Sequence, residues 1–189
     1  MKKIATVCVV IAAVALNANA DIHLTFTEVD VGSDTQVNLT NQFAAYGVTF
    51  DHVYRYIDGR DPWSEDYGIS NGWKEENLMT PAQGRINFTL PTSFVTIDWW
   101  DIGTNQMHVD ACDAGGNLID SFIGPSNAAD EYGTKTLSGL GLISYMTFND
   151  GGGFVQIANM TFSPVPVPAA VLLGILGLGA ASAKLRKFK

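Results

Sequence analysis

Between residues 21 and 163 the apolar side chains return at every second position, and no stretch there repeats with the period of a helix. Successive side chains of a strand point to opposite faces, so this pattern commits the chain to sheets, each with a buried face. Ile22, Leu24 and Phe26 alternate with polar neighbours, as do Val48 and Phe50, followed less strictly by Val53 and Tyr54. Residues 85–90 alternate cleanly. In residues 93–101, Val95, Ile97 and Trp99 form one face, and Phe94, Thr96, Asp98 and Trp100 the other. Met107, Val109 and Ala111 follow, then runs at 118–123, 142–148 and 154–162. Asp113-Ala114-Gly115-Gly116-Asn117 predicts a hairpin, and Asn149-Asp150-Gly151-Gly152-Gly153 a second, because glycine supplies the positive φ that tight turns need. Some eight to ten short strands with regular turns predict an all-β fold, an antiparallel β-sandwich of the jelly-roll kind.

The two termini read differently. Lys2 and Lys3, an apolar run over 4–16 and Ala18-Asn19-Ala20 make up the three regions of a signal peptide, which places the start of the mature chain at Asp21. Cys8 lies within the apolar run, behind Val7, and is not a lipidation site. At the other end, Pro164, Pro166 and Pro168 impose an extended chain, residues 169–183 carry no charge, and Lys184, Arg186, Lys187 and Lys189 follow. As a helix the uncharged run would be about 22 Å long, a little short of a hydrocarbon core of about 30 Å. The basic tail is expected on the cytoplasmic side. The expected organisation is therefore a signal peptide over 1–20, a β-sandwich domain over 21–163 and a C-terminal segment over 164–189 with a single apolar helix.

The body of 143 residues suffices for one domain with its own core. Cys112 is its only cysteine, so packing and not a disulfide must hold it. Nineteen acidic side chains stand against five basic ones, Arg55, Arg60, Lys74, Arg85 and Lys135, a net charge of −14. Such a surface repels nucleic acid and anionic lipid.

Catalytic patterns are nearly absent. Gly68-Ile69-Ser70-Asn71-Gly72 matches a nucleophile elbow in letters, but that motif needs a strand before it, a helix after it and an α/β sheet beneath. His23, His52 and His108 occur singly, without zinc-ligand spacing. The chemistry concentrates in residues 54–73, where Tyr54, Tyr56, Trp63, Tyr67 and Trp73 stand among Asp58, Asp61, Glu65 and Asp66, interrupted by Gly59, Pro62, Gly68 and Gly72. Aromatic faces stack on sugar rings while carboxylates accept hydroxyl hydrogen bonds, which makes Tyr56, Asp58, Asp61, Trp63, Tyr67 and Trp73 the candidate ligand-binding residues. The alternative is a satellite core in which Trp63 and Trp73 fold back under the loop. Trp99 is expected in the sandwich core, with Trp100 on the opposite face of its strand.

The signal peptide, the proline element Val165-Pro166-Val167-Pro168-Ala169, the short apolar run and the basic tail together resemble the PEP-CTERM class of exosortase substrates, in its VPLPA variant. That resemblance implies export by way of signal peptidase, transient retention in the inner membrane of a Gram-negative bacterium, and cleavage at Pro166, Val167, Pro168 and Ala169 by an exosortase-type protease. A permanent single-pass anchor is the alternative. Residues 46–50, 109–118 and 153–162 resemble the jelly-roll ectodomains found with that signal, which are similar to carbohydrate-binding modules. Some of those hold calcium near their first and last strands, where an Ile-Asp-Asn sequence is usual. Here Ala158 replaces the aspartate, leaving Glu28 and Asn159 as oxygen donors, and no cofactor is expected; the alternative is calcium held by other carboxylates, Glu28 or the Asp58 and Asp61 group. The resulting expectation is a non-catalytic surface or matrix protein associated with exopolysaccharide and biofilm; the alternative is a lectin-like module using the loop 54–73.

Overall fold

The computed structural model describes residues 20–30, 36–56, 68–71, 83–102, 106–125, 131–149 and 154–165. Its ten strands belong to one compact unit, Asp21–Pro164. A second unit comprises Met1–Ala20 and Val165–Lys189, of which only Ala20 and Val165 are among the described residues. Both the signal peptide and the apolar C-terminal run therefore lie outside them. Among the described residues no helix is long and apolar enough to cross a membrane.

The strands are β1 (Ile22–Leu24), β2 (Gln36–Leu39), β3 (Val48–Asp51), β4 (Val53–Tyr56), β5 (Gly68–Ser70), β6 (Gly84–Ile102), β7 (His108–Cys112), β8 (Leu118–Ile123), β9 (Glu131–Asn149) and β10 (Phe154–Pro164). Every pairing is antiparallel. The long strands β6 and β9 pair along their whole length, with their register broken between Asn87 and Phe94. That break is where the paired ribbon passes from one layer of the sandwich to the other. In the first layer, the opening half of β6 lies between β3 and the closing half of β9, which continues to β7 and β8. In the second, the closing half of β6 lies between β10 and the opening half of β9, and β10 continues to β5, β4 and β2. β1 pairs with the last part of β10.

The ribbon folds back on itself. A Cβ on Gly84 would come within 2.9 Å of the Cβ of Asn71, which directly follows Ser70, and Ser70 is linked through Gln156 to Trp100. The first residue of β6 thus stands at the same end of the sandwich as its last turn. At the other end, called the lower end below, Phe88 of the first layer meets Phe162 of the second with ring centroids 5.0 Å apart. The β7–β8 turn, the fold-back segments and the close of β10 against Thr92 all gather at that end.

Between the layers lie Leu24, Val48, Phe50, Val53, Ile69, Ile86, Val95, Ile97, Trp99, Val109, Leu137, Ile143, Met146, Phe148, Ile157, Met160 and Phe162, all buried. Phe26, Phe43 and Phe50 close the β3 side with edge-on ring contacts. On the opposite side β8 crosses the free edge of β9. Phe122 packs on Trp99, the Lys135 ammonium sits 5.7 Å from the Phe122 ring, and Asp120 Oδ2 accepts the Ser138 amide at 2.9 Å.

The hairpin expected at residues 113–117 joins β7 to β8. Gly116 there takes φ +84°, which a side chain would strain, and Asp113 Oδ1 accepts the amides of Gly115 and Asn117, both at 2.8 Å. The second expected hairpin, at 149–153, is not one. β9 and β10 do not pair with each other: β9 closes in the first layer, where Phe148 faces Gly84, and β10 opens in the second, where Phe154 faces Ile102. A glycine-rich turn signal specifies a reversal of direction; it does not specify which strand becomes the neighbour.

Cys112 is buried opposite Tyr145. The hydrogen bond that the phenol donates to Cys112, together with burial, holds the phenol pKa above its usual value, against the pull of the Arg85 guanidinium 3.6 Å over the ring.

Two predictions follow from this packing. Phe162→Ala, which empties the Phe88 contact, is expected to cost about 3–5 kcal/mol in urea unfolding. Asp113 has a pKa below its usual value, through the Asn117 side-chain amide first and then the turn amides. A depressed carboxylate stabilises fully above its unfolded pKa of about 4 and loses that contribution as pH falls through the folded value. The melting-temperature gap between wild type and Asp113→Ala should therefore narrow steadily below about pH 4; a gap constant into stronger acid would assign the effect to turn geometry alone.

Candidate binding face

The outward face of the second layer is built from three rungs that cross its strands. Strand alternation sends Val95, Ile97 and Trp99 inward and Thr96, Asp98 and Trp100 outward on β6, and on β9 it sends Leu137 inward and Tyr132, Thr134 and Thr136 outward. On β10 the phase changes once. Ala158 is an extra residue between Ile157, opposite Trp99, and Asn159, opposite Asp98. This bulge brings Asn159 and Thr161 to the outside while Met160 and Phe162 stay in the core.

The first rung runs His23, Thr161, Thr96, Thr136 across β1, β10, β6 and β9. His23 Nδ1 and Thr161 Oγ1 are 2.9 Å apart, and the Thr96 and Thr136 hydroxyls 2.8 Å. The second rung centres on Asp98, whose Oδ1 accepts from Thr134 Oγ1 at 2.6 Å and whose Oδ2 accepts from Asn159 Nδ2 at 3.1 Å. Those bonds fix the carboxylate at the middle of the face while its remaining lone pairs stay available to a ligand. The third rung runs Tyr132, Trp100, Gln156, Ser70, Tyr54. Tyr132 is 56% exposed at one end, whereas Trp100, Gln156 and Ser70 are buried although they lie on the outward face. Gln156 lies so close over Gly68 that a Cβ there would overlap its side-chain amide, which is why a glycine stands at that position.

The second face of the 93–101 strand was thus legible from alternation, and Trp99 and Trp100 take the expected sides, both buried. What the reading missed is the set of partners: Thr134, Thr136 and Tyr132 on an unrecognised strand, and Asn159, whose phase the bulge reverses. The alternating threonines of residues 132–138 were the available signal.

The sequence-derived candidates are only partly covered. Tyr56 ends β4, in register with Gly68 and Gln36. Asp58, Asp61, Trp63, Tyr67 and Trp73 lie outside the described residues, as do Pro166, Val167, Pro168 and Ala169. Within the segment 54–73, β4 runs to Tyr56 and β5 spans Gly68–Ser70, and Arg55, Ser70 and Asn71, which follows β5, are buried. Ser70 stands 1% exposed within a strand, which removes the exposed hydroxyl that a nucleophile elbow requires.

Of the two calcium-donor candidates, Glu28 Oε1 accepts from the amide of Thr25 at 2.6 Å and from its hydroxyl at 3.0 Å, Glu28 Oε2 is buried without a hydrogen-bond partner, and Asn159 donates its amide to Asp98, while Ala158 is buried. Among the described residues no group of three or more His, Cys, Asp or Glu side chains could hold a metal.

No protein-family model matches the sequence, and no curated protein does. Solved structures do match. The K2 cleaved adhesin domain of Lys-gingipain aligns with a TM-score of 0.50 at 12% identity, over 77% of this chain and 99% of that one. The K1 cleaved adhesin domain of Lys-gingipain from Porphyromonas gingivalis W83 aligns at 0.46 and 10% identity, over 78% and 99% of the two chains. CsCBM6-3 from Clostridium stercorarium, solved with cellobiose, aligns at 0.37 and 10%, over 76% and 93%. The likeness is one of fold: an all-β antiparallel sandwich of the kind seen in the K2 adhesin domain.

Proposed function

We propose that this chain is a non-catalytic, exported binding module that recognises polysaccharide through the outward face of its second layer, with the loop 54–73 as a second contributor. The observation that carries this reading is the Asp98 rung. A carboxylate held by Thr134 and Asn159, with threonine hydroxyls beside it and an exposed tyrosine at the margin, offers fixed acceptors and donors and one apolar ring. Sugar hydroxyls and the C–H face of a pyranose are the complement of that surface. The adhesin domain that shares the fold is in keeping with a binding role. The jelly-roll assignment and the C-terminal signal belong to the same reading: export, retention by the apolar run, and release by an exosortase-type protease into an exopolysaccharide matrix.

Two measurements test it. On a glycan array and in polysaccharide pull-downs, Tyr132→Ala should weaken binding by about 0.5–1.5 kcal/mol, roughly two- to tenfold, with Asp98→Ala at least as damaging. Trp63→Ala or Trp73→Ala should reduce the signal if the loop takes part. A wild-type protein with no saccharide-specific signal would leave a matrix scaffold without recognition. For processing, intact mass of the secreted protein should place the C-terminus within residues 166–170; recovery chiefly of chain still ending in Lys189 would refute release.

A further inference from the structure

Six large hydrophobic side chains are exposed among the described residues, and four of them are leucines gathered at the lower end. Leu90 sits where β6 turns between layers, Leu140 and Leu142 where β9 does, and Leu118 at the β7–β8 turn. Leu140 is fully exposed, Leu118 60%, Leu142 43% and Leu90 41%. Gly139 and Gly141 lie against Ile119, so the tip of the β9 turn rests on β8 while its leucines point to solvent. The three segments whose lower parts meet there, residues 86–97, 136–149 and 154–165, contain no charged side chain over their whole length, in a body whose net charge is −14. Three carboxylates stand at its margin: Asp21, exposed one residue before the Ile22–Phe162 pair, Asp113, which accepts turn amides, and Asp120, which accepts the Ser138 amide.

The same end is where the chain leaves the sandwich. Pro164 pairs with Thr92, which pairs with Ile143, so β10 closes beside the leucines. From Val165 only four residue steps, about 13 Å at full extension, lead to the uncharged run that starts at Ala169. We infer that the leucine-tipped lower end is a membrane-docking surface that seats on the zwitterionic lipid interface. This rests on the reading of residues 169–183 as a membrane segment. The short tether keeps the leucines within reach of the headgroup region, where apolar side chains transfer favourably, and because the segments that carry Leu90, Leu140 and Leu142 hold no charge, those side chains can enter while the carboxylates of Asp21 and Asp113 stay at the hydrated margin. The acidic body is repelled by anionic lipid, which favours a zwitterionic surface and contact through the leucine-bearing segments.

The test uses the full chain reconstituted into phosphatidylcholine vesicles, with a tryptophan placed by Leu140→Trp or, at the far end, by Ile123→Trp. Flotation reads whether the chain is anchored, and quenching by lipids brominated near the interface reads which end touches. The expected result is co-flotation with about half of the added emission at position 140 quenched and that at 123 unaffected. Co-flotation without preferential quenching at 140, or with equal quenching at both, overturns the docking surface and leaves the anchor intact. Absence of co-flotation removes the anchor and the docking surface together.

Discussion

Two nineteen-residue strands that remain paired with each other would measure roughly 60 Å if laid straight, in a domain only about 40 Å across. The β6–β9 ribbon must therefore double over, and the slack for doing so comes from the register breaks around Leu90 and Leu140. The rest of the sandwich adds to this hinge: β3 and β7 on its first half, β10 on its second. Because one ladder serves both layers, the inner faces are held opposite each other by covalent chain as well as by packing. The Phe88–Phe162 contact at the fold and the Trp99–Phe122 contact beyond it mark the depth of the core so enclosed.

Alternation made most of this legible in advance. β3, β7, β8, β10 and both halves of β6 announce themselves through inward apolar residues, and the break at His52, which takes φ +51°, accounts for the looser pattern over 48–54. The opening half of β9 does not announce itself. Its inward positions are Gly133, Lys135 and Leu137, of which one is apolar: glycine yields space to the Trp99 indole and the lysine ammonium sits over the Phe122 ring. A strand whose buried face is made by its neighbours carries little hydrophobic signal of its own. Pairing across the sheet was equally hidden, since a turn signal such as residues 149–153 cannot say whether the next strand returns beside the last one or beyond it.

The candidate face followed the same division. Thr96 and Asp98 were assigned to one surface by phase alone, but a ladder needs partners from other strands, and those depended on the Ala158 bulge and on the unrecognised half of β9. The bulge residue Ala158 is itself buried, and the amide of the neighbouring Asn159 is used to hold Asp98. The same backbone irregularity thus serves hydrogen bonding across the sheet.

The crossing of β8 over the free margin of β9 has a consequence for how copies of this protein coexist. An open strand edge offers amides and carbonyls to any other chain, and stacking of such edges is how β-rich proteins polymerise into fibres. Here the Ser138 amide already has its acceptor in Asp120, and Lys135 places a cation on that edge. A second molecule would have to displace the carboxylate and desolvate the ammonium before it could add a strand. Crowded copies are thereby kept from templating one another along this margin.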